Sequence, residues 1–224
     1  MKIAATLFGL ERILKKEVYG KIIYNGRVLF GKKIIPKSAL LIYDYITSFK
    51  FKAQEEIYKK IKKLKFKIKK DFKVECSRIG KHNFSSQDIN AKIGEIIYNK
   101  TNKVNLTNPN TIIYIDIIND FCILGLSPKN IGKRNYKVRI SNDSLNACLA
   151  YSLLKLAKFG KNKTLLDPFC SDGTLLIEAA LLDGKKLYGF SQDIKNASIN
   201  SKIAKVKINL SNKTLDWLDT LFKE

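Results

Sequence analysis

The spacing of hydrophobic and polar positions changes several times along the chain, and each change predicts an element. Residues 2–6 form a short apolar run that reads as a strand, and residues 9–18 set Leu10, Ile13, Leu14 and Val18 on one helical face. Two short β-type runs, 22–24 and 27–30, flank Asn25-Gly26, a tight-hairpin signal. Residues 36–46 start with a proline and predict a helix. A strand over 48–52 and a helix over 53–64 follow, the helix carrying Ile57, Ile61 and Leu64 as a buried stripe; residues 65–70 then alternate lysine with phenylalanine and isoleucine. Residues 72–79 alternate as a strand. Residues 87–99 predict a helix with Ile89, Ile93, Ile96 and Ile97 inward, Ser86 as its N-cap and Asp88 in its first turn. The runs 111–118 and 121–126 are antiparallel strands about an Asn119-Asp120 turn.

The last third has a different rhythm. Residues 128–143 are polar and read as a linker, with Lys133, Arg134, Lys137 and Arg139 clustered around Tyr136. A long helix over 144–159 leads to a short apolar run ending at Asp167-Pro168. A tight loop to Gly173, a helix, a strand over 187–190, a helix over 194–204 and a strand over 206–210 complete the chain. That β-α-β-α-β order is the first half of a doubly wound sheet. In such a sheet a ligand sits outside the carboxyl end of the first strand, where the following helix offers free backbone N–H groups. Asp167 stands at that strand end and Gly173 where the helix begins.

Composition sharpens the picture. The 224 residues are 45% apolar, ordinary for a globular protein and enough to bury a core without disulfides. Lys and Arg number 42 against 20 acids, a formal net charge of +22. A surplus of that size suits a polyanionic partner, nucleic acid first; lysine scattered over the whole chain as a compositional habit is the other reading. Residues 50–73 hold eleven lysines against three acids, read either as a strip following an RNA backbone or as a solvated helix face. The four cysteines are far apart and His82 is the single histidine, so no metal site is expected and the cysteines read as buried thiols in a reducing, cytoplasmic setting. The N-terminus lacks a long apolar core, so neither a signal peptide nor a membrane span is expected.

Residues 167–179, DPFCSDGTLLIEA, resemble the S-adenosyl-L-methionine loop of THUMP-containing RNA methyltransferases, whose usual form is D-P-x-C-G-S-G-T-x-x-I-E-A. The resemblance continues in order along the chain. Residues 5–11 are similar to an opening A-T-x-x-G-L-E; residues 84–88 and 92–94 resemble the THUMP helix entry; residues 105–111 resemble the V-x-L-x-x-P-D approach to the last THUMP hairpin. Residues 133–139, KRNYKVR, with Ser144-Leu145-Asn146, resemble the interdomain K-R-x-Y-R-x-R and the helix after it, and Asn200 lies in an A-x-x-N-A-like helix. The resemblance implies an α/β protein with a ferredoxin-like N-terminal domain over 1–47, a THUMP RNA-binding domain over 48–127, a linker over 128–143, and over 144–224 the first half of a Rossmann-like methyltransferase domain. Within the family the enzymes methylating N2 of a tRNA guanosine look nearest, with the large-subunit rRNA methyltransferases as neighbours. The implied partner is the acceptor stem and 3′ end of tRNA.

Methyl transfer from a sulfonium needs alignment more than acid–base help, so no catalytic residue is assigned in this chain. By resemblance, Asp167 accepts from the cofactor's ammonium group, with a helix cap as its other reading. Gly173 lets the backbone approach the methionine carboxylate, and Cys170 and Thr174 line the pocket. Asp172 falls in the same loop. Ser171-Asp172-Gly173 departs from Gly-Ser-Gly, adding a Cβ and a negative charge near that carboxylate. Ser191 stands where an acid usually takes the ribose hydroxyls, and Asp193 is its substitute; Asp216 matches an acid contacting the adenine, or else starts a helix. Lys81, Lys133, Arg134, Lys137 and Arg139 are the residues expected on RNA. The N/D-P-P-Y motif that holds the acceptor base is absent from the sequence. Three expectations follow: one part of a split methyltransferase completed by a second polypeptide, a noncatalytic tRNA-binding module, or a truncated gene product.

Overall fold

The hairpin expected at Asn25-Gly26 forms one edge of a large sheet. Strands β2 (Lys21–Tyr24) and β3 (Arg27–Phe30) pair antiparallel across it, with Gly26 at φ +69°. A Cβ at Gly26 would lie 2.9 Å from the Thr6 carbonyl oxygen, so both the turn and the close approach need glycine. The computed structural model describes residues 1–64, 68, 70–101 and 103–213. The chain divides into two units. The first holds Met1–Glu11, Val18–Lys33 and Leu41–Asn130; the second holds Arg12–Glu17, Ile34–Leu40 and the chain from Ile131 onward. Helix α1 (Glu11–Val18) contributes to both.

In the first unit a seven-stranded sheet runs in the order β2-β3-β1-β4-β7-β6-β5. Its other strands are β1 (Lys2–Ala5), β4 (Leu41–Lys50), β5 (Phe72–Ile79), β6 (Thr111–Ile118) and β7 (Phe121–Asn130). All described pairings are antiparallel except β5 with β6, which α3 (Ser86–Thr101) joins by the crossover that a parallel pair requires. Helix α2 (Gln54–Lys63) and α3 bury Ile57, Ile61, Ile89, Ile93 and Ile97 against Ile113, Ile115, Ile117 and Leu124 of the sheet. Asp71 pins the approach to β6, accepting from Asn105 Nδ2 at 2.9 Å and from Asn110 N at 2.6 Å.

Two local expectations change. The helix expected over 36–46 is not formed; β4 occupies Leu41–Lys50 and pairs with β1 on one side and β7 on the other. Its residues are β-branched and aromatic (Ile42, Tyr43, Tyr45, Ile46, Thr47), and a short run of this kind is not separated from a helix by periodicity alone. The N-cap of α3 is Ser85, not Ser86: Ser85 Oγ accepts from Asp88 N at 3.1 Å while the Asp88 carboxylate accepts from Ser85 N at 2.7 Å, a reciprocal capping box.

The second unit contains a three-stranded parallel sheet, order β10-β9-β8, from β8 (Thr164–Asp167), β9 (Lys186–Phe190) and β10 (Asn209–Ser211). Helices α4 (Ala147–Leu156), α5 (Thr174–Ala180) and α6 (Lys195–Ile203) place Leu154, Leu176, Ala179 and Ala197 in one core with Leu187 of β9. The α4 helix starts later than its apolar pattern because Asn146 caps it, its side chain accepting from Cys148 N and Leu149 N. On the other face of the sheet, Leu166 and Tyr188 are register partners, 37% and 40% exposed. Among the described residues nothing pairs with the outer edge of β8. No described helix is long and apolar enough to cross a membrane.

Candidate functional site

The loop between β8 and α5 holds most of the expected cofactor residues. Asp167 ends β8 half-buried; its Oδ1 accepts from Phe169 N at 3.2 Å, and no described cation pairs with it. Burial raises its pKa, since ionisation there loses hydration that the single Phe169 N–H only partly replaces. Cys170 is 2% exposed, and its backbone N donates to the Phe190 carbonyl at 2.9 Å. Burial first, and then the charge of Asp167, push its thiol up to about 12. A protonated thiol of this kind is a wall, not a nucleophile. Gly173 has φ +78°, and a Cβ on it would come within 3.0 Å of Ala197 Cβ. Glycine is therefore required by the turn and by the approach of α6, whatever the loop binds.

The two departures from the family loop have structural answers. Ser171 sits at φ +48°, the left-handed region where a glycine is at ease, and its Oγ donates to Asp143 at 2.9 Å. Asp172 is buried and turned inward. Its Oδ1 accepts from Thr174 N at 3.2 Å and Thr174 Oγ1 at 2.7 Å; its Oδ2 accepts from Ser144 Oγ and lies 3.3 Å from Lys137 Nζ. Both oxygens are engaged within the protein, so the carboxylate has internal partners and its charge is neutralised by Lys137. Thr174, 1% exposed, stands inside the same network.

Asp193 is exposed and accepts from Lys195 N at 2.8 Å, one residue ahead of the α6 N-cap position, Ile194. Ser191 N continues the β9–β10 ladder to Ser211 O. Asp216 lies outside the described residues.

Of the five cations expected on RNA, the structure brings two inside. Arg134 is clamped by Glu178, its Nε donating to Oε1 at 2.8 Å, while its Nη2 donates to Lys37 O at 2.8 Å. Lys137 donates to Ser144 Oγ and Leu145 O and faces Asp172, with a side chain 14% exposed. Each of these two heads already faces a carboxylate within the protein. Lys133 and Arg139 are exposed, as is Lys81. Lys81 lines a cleft of about 370 Å³ in the first unit with Lys52, Gln54, His82 and Asn83. His82 Nε2 donates to Asn119 O at 2.7 Å, which leaves Nδ1 to accept from Arg78 Nη1 at 3.0 Å, so this ring is the neutral tautomer.

Two residues that the sequence motifs contain were given no role there. Glu178, fully buried, accepts through Oε1 from Arg134 and from Tyr136 OH at 2.8 Å, and its Oε2 has no hydrogen-bond partner. Burial, then the charge of Glu178, hold the Tyr136 hydroxyl far above its ordinary value. An acid set among Leu175, Leu176, Ile177, Ala179 and Ala180 was the available signal, since a buried charge demands a partner. Asn200 is also fully buried; its Nδ2 donates to Arg139 O at 2.7 Å and Asp172 O at 2.9 Å, and its Oδ1 accepts from Arg139 N at 3.0 Å.

Comparison with known proteins matches this architecture. The THUMP domain model matches residues 51–127, and the RMKL-like methyltransferase domain model matches residues 134–218. A tRNA (guanine(6)-N2)-methyltransferase of Methanocaldococcus jannaschii is 33% identical, over 78% of this chain and 54% of its own length. One of the same description from Archaeoglobus fulgidus is 31% identical, over 78% and 51%. The chain thus spans about half the length of the curated relatives it matches. Among solved structures, TrmN from Thermus thermophilus superimposes with a TM-score of 0.74 at 22% identity, covering 100% of this chain and 76% of that one. SMU.472 complexed with SAH gives 0.73 at 18%, covering 96% and 75%. With a THUMP domain followed by an RMKL-like methyltransferase domain in one chain, this protein belongs to the THUMP-domain-containing RNA methyltransferase family.

Proposed function

We propose that the chain is the tRNA-binding and cofactor-loop part of an S-adenosylmethionine-dependent tRNA guanine-N2 methyltransferase. One observation carries the reading: a half-buried carboxylate, Asp167, at the carboxyl end of a parallel strand, with no cationic partner among the described residues. An ammonium group placed there would restore the interaction that burial removes. The residues fit the cofactor in that respect, and the fold relative bound to SAH supports it. The bound cofactor supplies an activated methyl group. Asp167 takes its amino group, the neutral Cys170 wall and Gly173 shape the loop, and Asp193 is the acid nearest in sequence to the expected ribose position. Catalysis then rests on alignment. The THUMP domain, with Lys81 on its surface, takes the acceptor stem and 3′ end of tRNA; Lys133 and Arg139 are exposed on the second unit; and the named tRNA-modifying relatives support tRNA over rRNA.

The acceptor-base half comes, in this proposal, from a second polypeptide. The free edge of β8 and the exposed Leu166 and Tyr188 support it, because parallel sheets are stable when both faces are covered. Calorimetric titration with S-adenosylhomocysteine tests the cofactor reading: saturable binding is expected, and none at millimolar ligand removes it. Methyl transfer to tRNA by this chain alone would remove the second polypeptide.

A further inference from the structure

Residues 131–144 carry no regular structure beyond turns, yet six of their polar side chains, Arg134, Tyr136, Lys137, Ser141, Asp143 and Ser144, are hydrogen-bonded. Arg134 and Tyr136 bind Glu178, Lys137 binds Ser144 and Asp172, Arg139 binds Asn200 through its backbone N and O, Ser141 Oγ accepts from Asn196, and Asp143 accepts from Ser171. We propose that this strap is the brace of the cofactor loop, with Lys137, Asp172 and Asn200 as positioning residues that hold the loop in its binding shape before any ligand arrives. The proposal rests on the cofactor reading of the loop.

The loop's back and front differ. At the back, Ser171 Oγ is tied to the strap, the Asp172 carboxylate to Ser144, Lys137 and Thr174, and the Asp172 carbonyl to Asn200. At the front, Asp167 takes only the Phe169 N–H, and the Phe169 side chain is 68% exposed. One side of the loop is thus fixed while the other is open to a ligand. Such an arrangement removes the ordering cost that a mobile loop would add to binding. The sequence gives a reason for the brace here. The loop contains one glycine, and its Ser171 holds a left-handed conformation that the surroundings must enforce. Asp172 stands where the family has serine, and its buried charge is matched by Lys137, whose side chain is 14% exposed.

The experiment uses the full chain, with Lys137→Met, Asp172→Ser, the double variant and Lys137→Arg. Amide hydrogen exchange is measured without ligand, and S-adenosylhomocysteine affinity by calorimetry. Each single neutral variant should speed exchange at Gly173 and Thr174 by about tenfold or more, with the seven-stranded sheet unchanged. Affinity should weaken by about tenfold, because one buried charge is left unmatched and the loop is freed. Lys137→Arg should keep both near wild type, and the double variant should fall between wild type and the singles. Unchanged loop exchange in the single variants, or a double variant indistinguishable from wild type, overturns the brace. So does faster exchange spread evenly over the second unit, which marks general destabilisation. If the singles do not fold, the double variant and Lys137→Arg decide by the same criteria. A wild-type chain that binds no S-adenosylhomocysteine but shows the expected exchange pattern would defeat the cofactor reading and leave the brace standing.

Discussion

Ser171 holds a conformation that a side chain with a Cβ adopts only at a cost of about 1–2 kcal/mol. Replacing it with glycine relieves that strain, but glycine adds about 0.5–1 kcal/mol of unfolded-chain entropy and removes the exposed Ser171–Asp143 hydrogen bond. The terms nearly cancel, so Ser171→Gly should leave denaturant stability within about 0.5 kcal/mol of wild type. Ser171→Val adds a branched Cβ and loses the hydrogen bond; it should lose about 1–2 kcal/mol in the same urea titration. Asp167 makes the complementary case. Its folded pKa lies above the ordinary 3.8, so the folded state holds more protons, and stability falls as pH rises from 3.8 through the folded value. Asp167→Asn removes that loss. Its thermal midpoint at pH 7 should equal or exceed that of wild type while S-adenosylhomocysteine binding drops; a lower midpoint with unchanged binding would make Asp167 a structural residue.

At the scale of elements, the seven-stranded sheet is keyed by one buried ion pair. Arg27 of β3 and Asp116 of β6 join through Arg27 Nε to Oδ2 and Nη2 to Oδ1 at 2.9 Å, and Tyr43 of β4 donates to Asp116 at 2.7 Å. The side chains are 6% and 0% exposed, so removing one partner strands a charge in the interior. Asp116→Ala should cost about 3–5 kcal/mol in urea denaturation. Asp44→Ala breaks the pair with Lys2, whose members are 45% and 54% exposed, and should cost under about 1 kcal/mol because water already screens it. Equal losses in the two variants would refute the keying role. The same sheet explains why β4 was not legible as a strand. Its neighbours β1 and β7 pair with its two edges from residues 2–5 and 121–130, partnerships that no local pattern within 41–50 reveals, whereas Phe72–Ile79 carries its own alternation.

For the whole molecule, the proposed tRNA binding should be strongly salt-dependent given the net charge of +22, since each neutralised phosphate releases counterions. Filter binding of tRNA across a salt series should give a steep negative slope. Replacing Lys81 or Lys133 with methionine should flatten it by roughly one each if both touch phosphate. Lys137→Met should leave the slope unchanged, because that ammonium faces Asp172 and Ser144. A slope near zero for the wild-type chain would return the charge to a compositional habit.

The sequence alone determined the order of strands and helices wherever a local signal was strong: Asn25-Gly26 for the hairpin, alternation for β5, the 3.6 period for α2 and α3, and the Asp-to-glycine loop before α5. It also carried the family, because the matched blocks are short, local and in order. Only the tertiary structure decided which charged residues face inward. Lys133, Arg134, Lys137 and Arg139 look alike in the sequence. Glu178 and Asp172, more than thirty residues further on, take two of them out of the solvent. A lone pattern of charges cannot show that, since a cation's role depends on whether a buried carboxylate, distant in the chain, meets it in space.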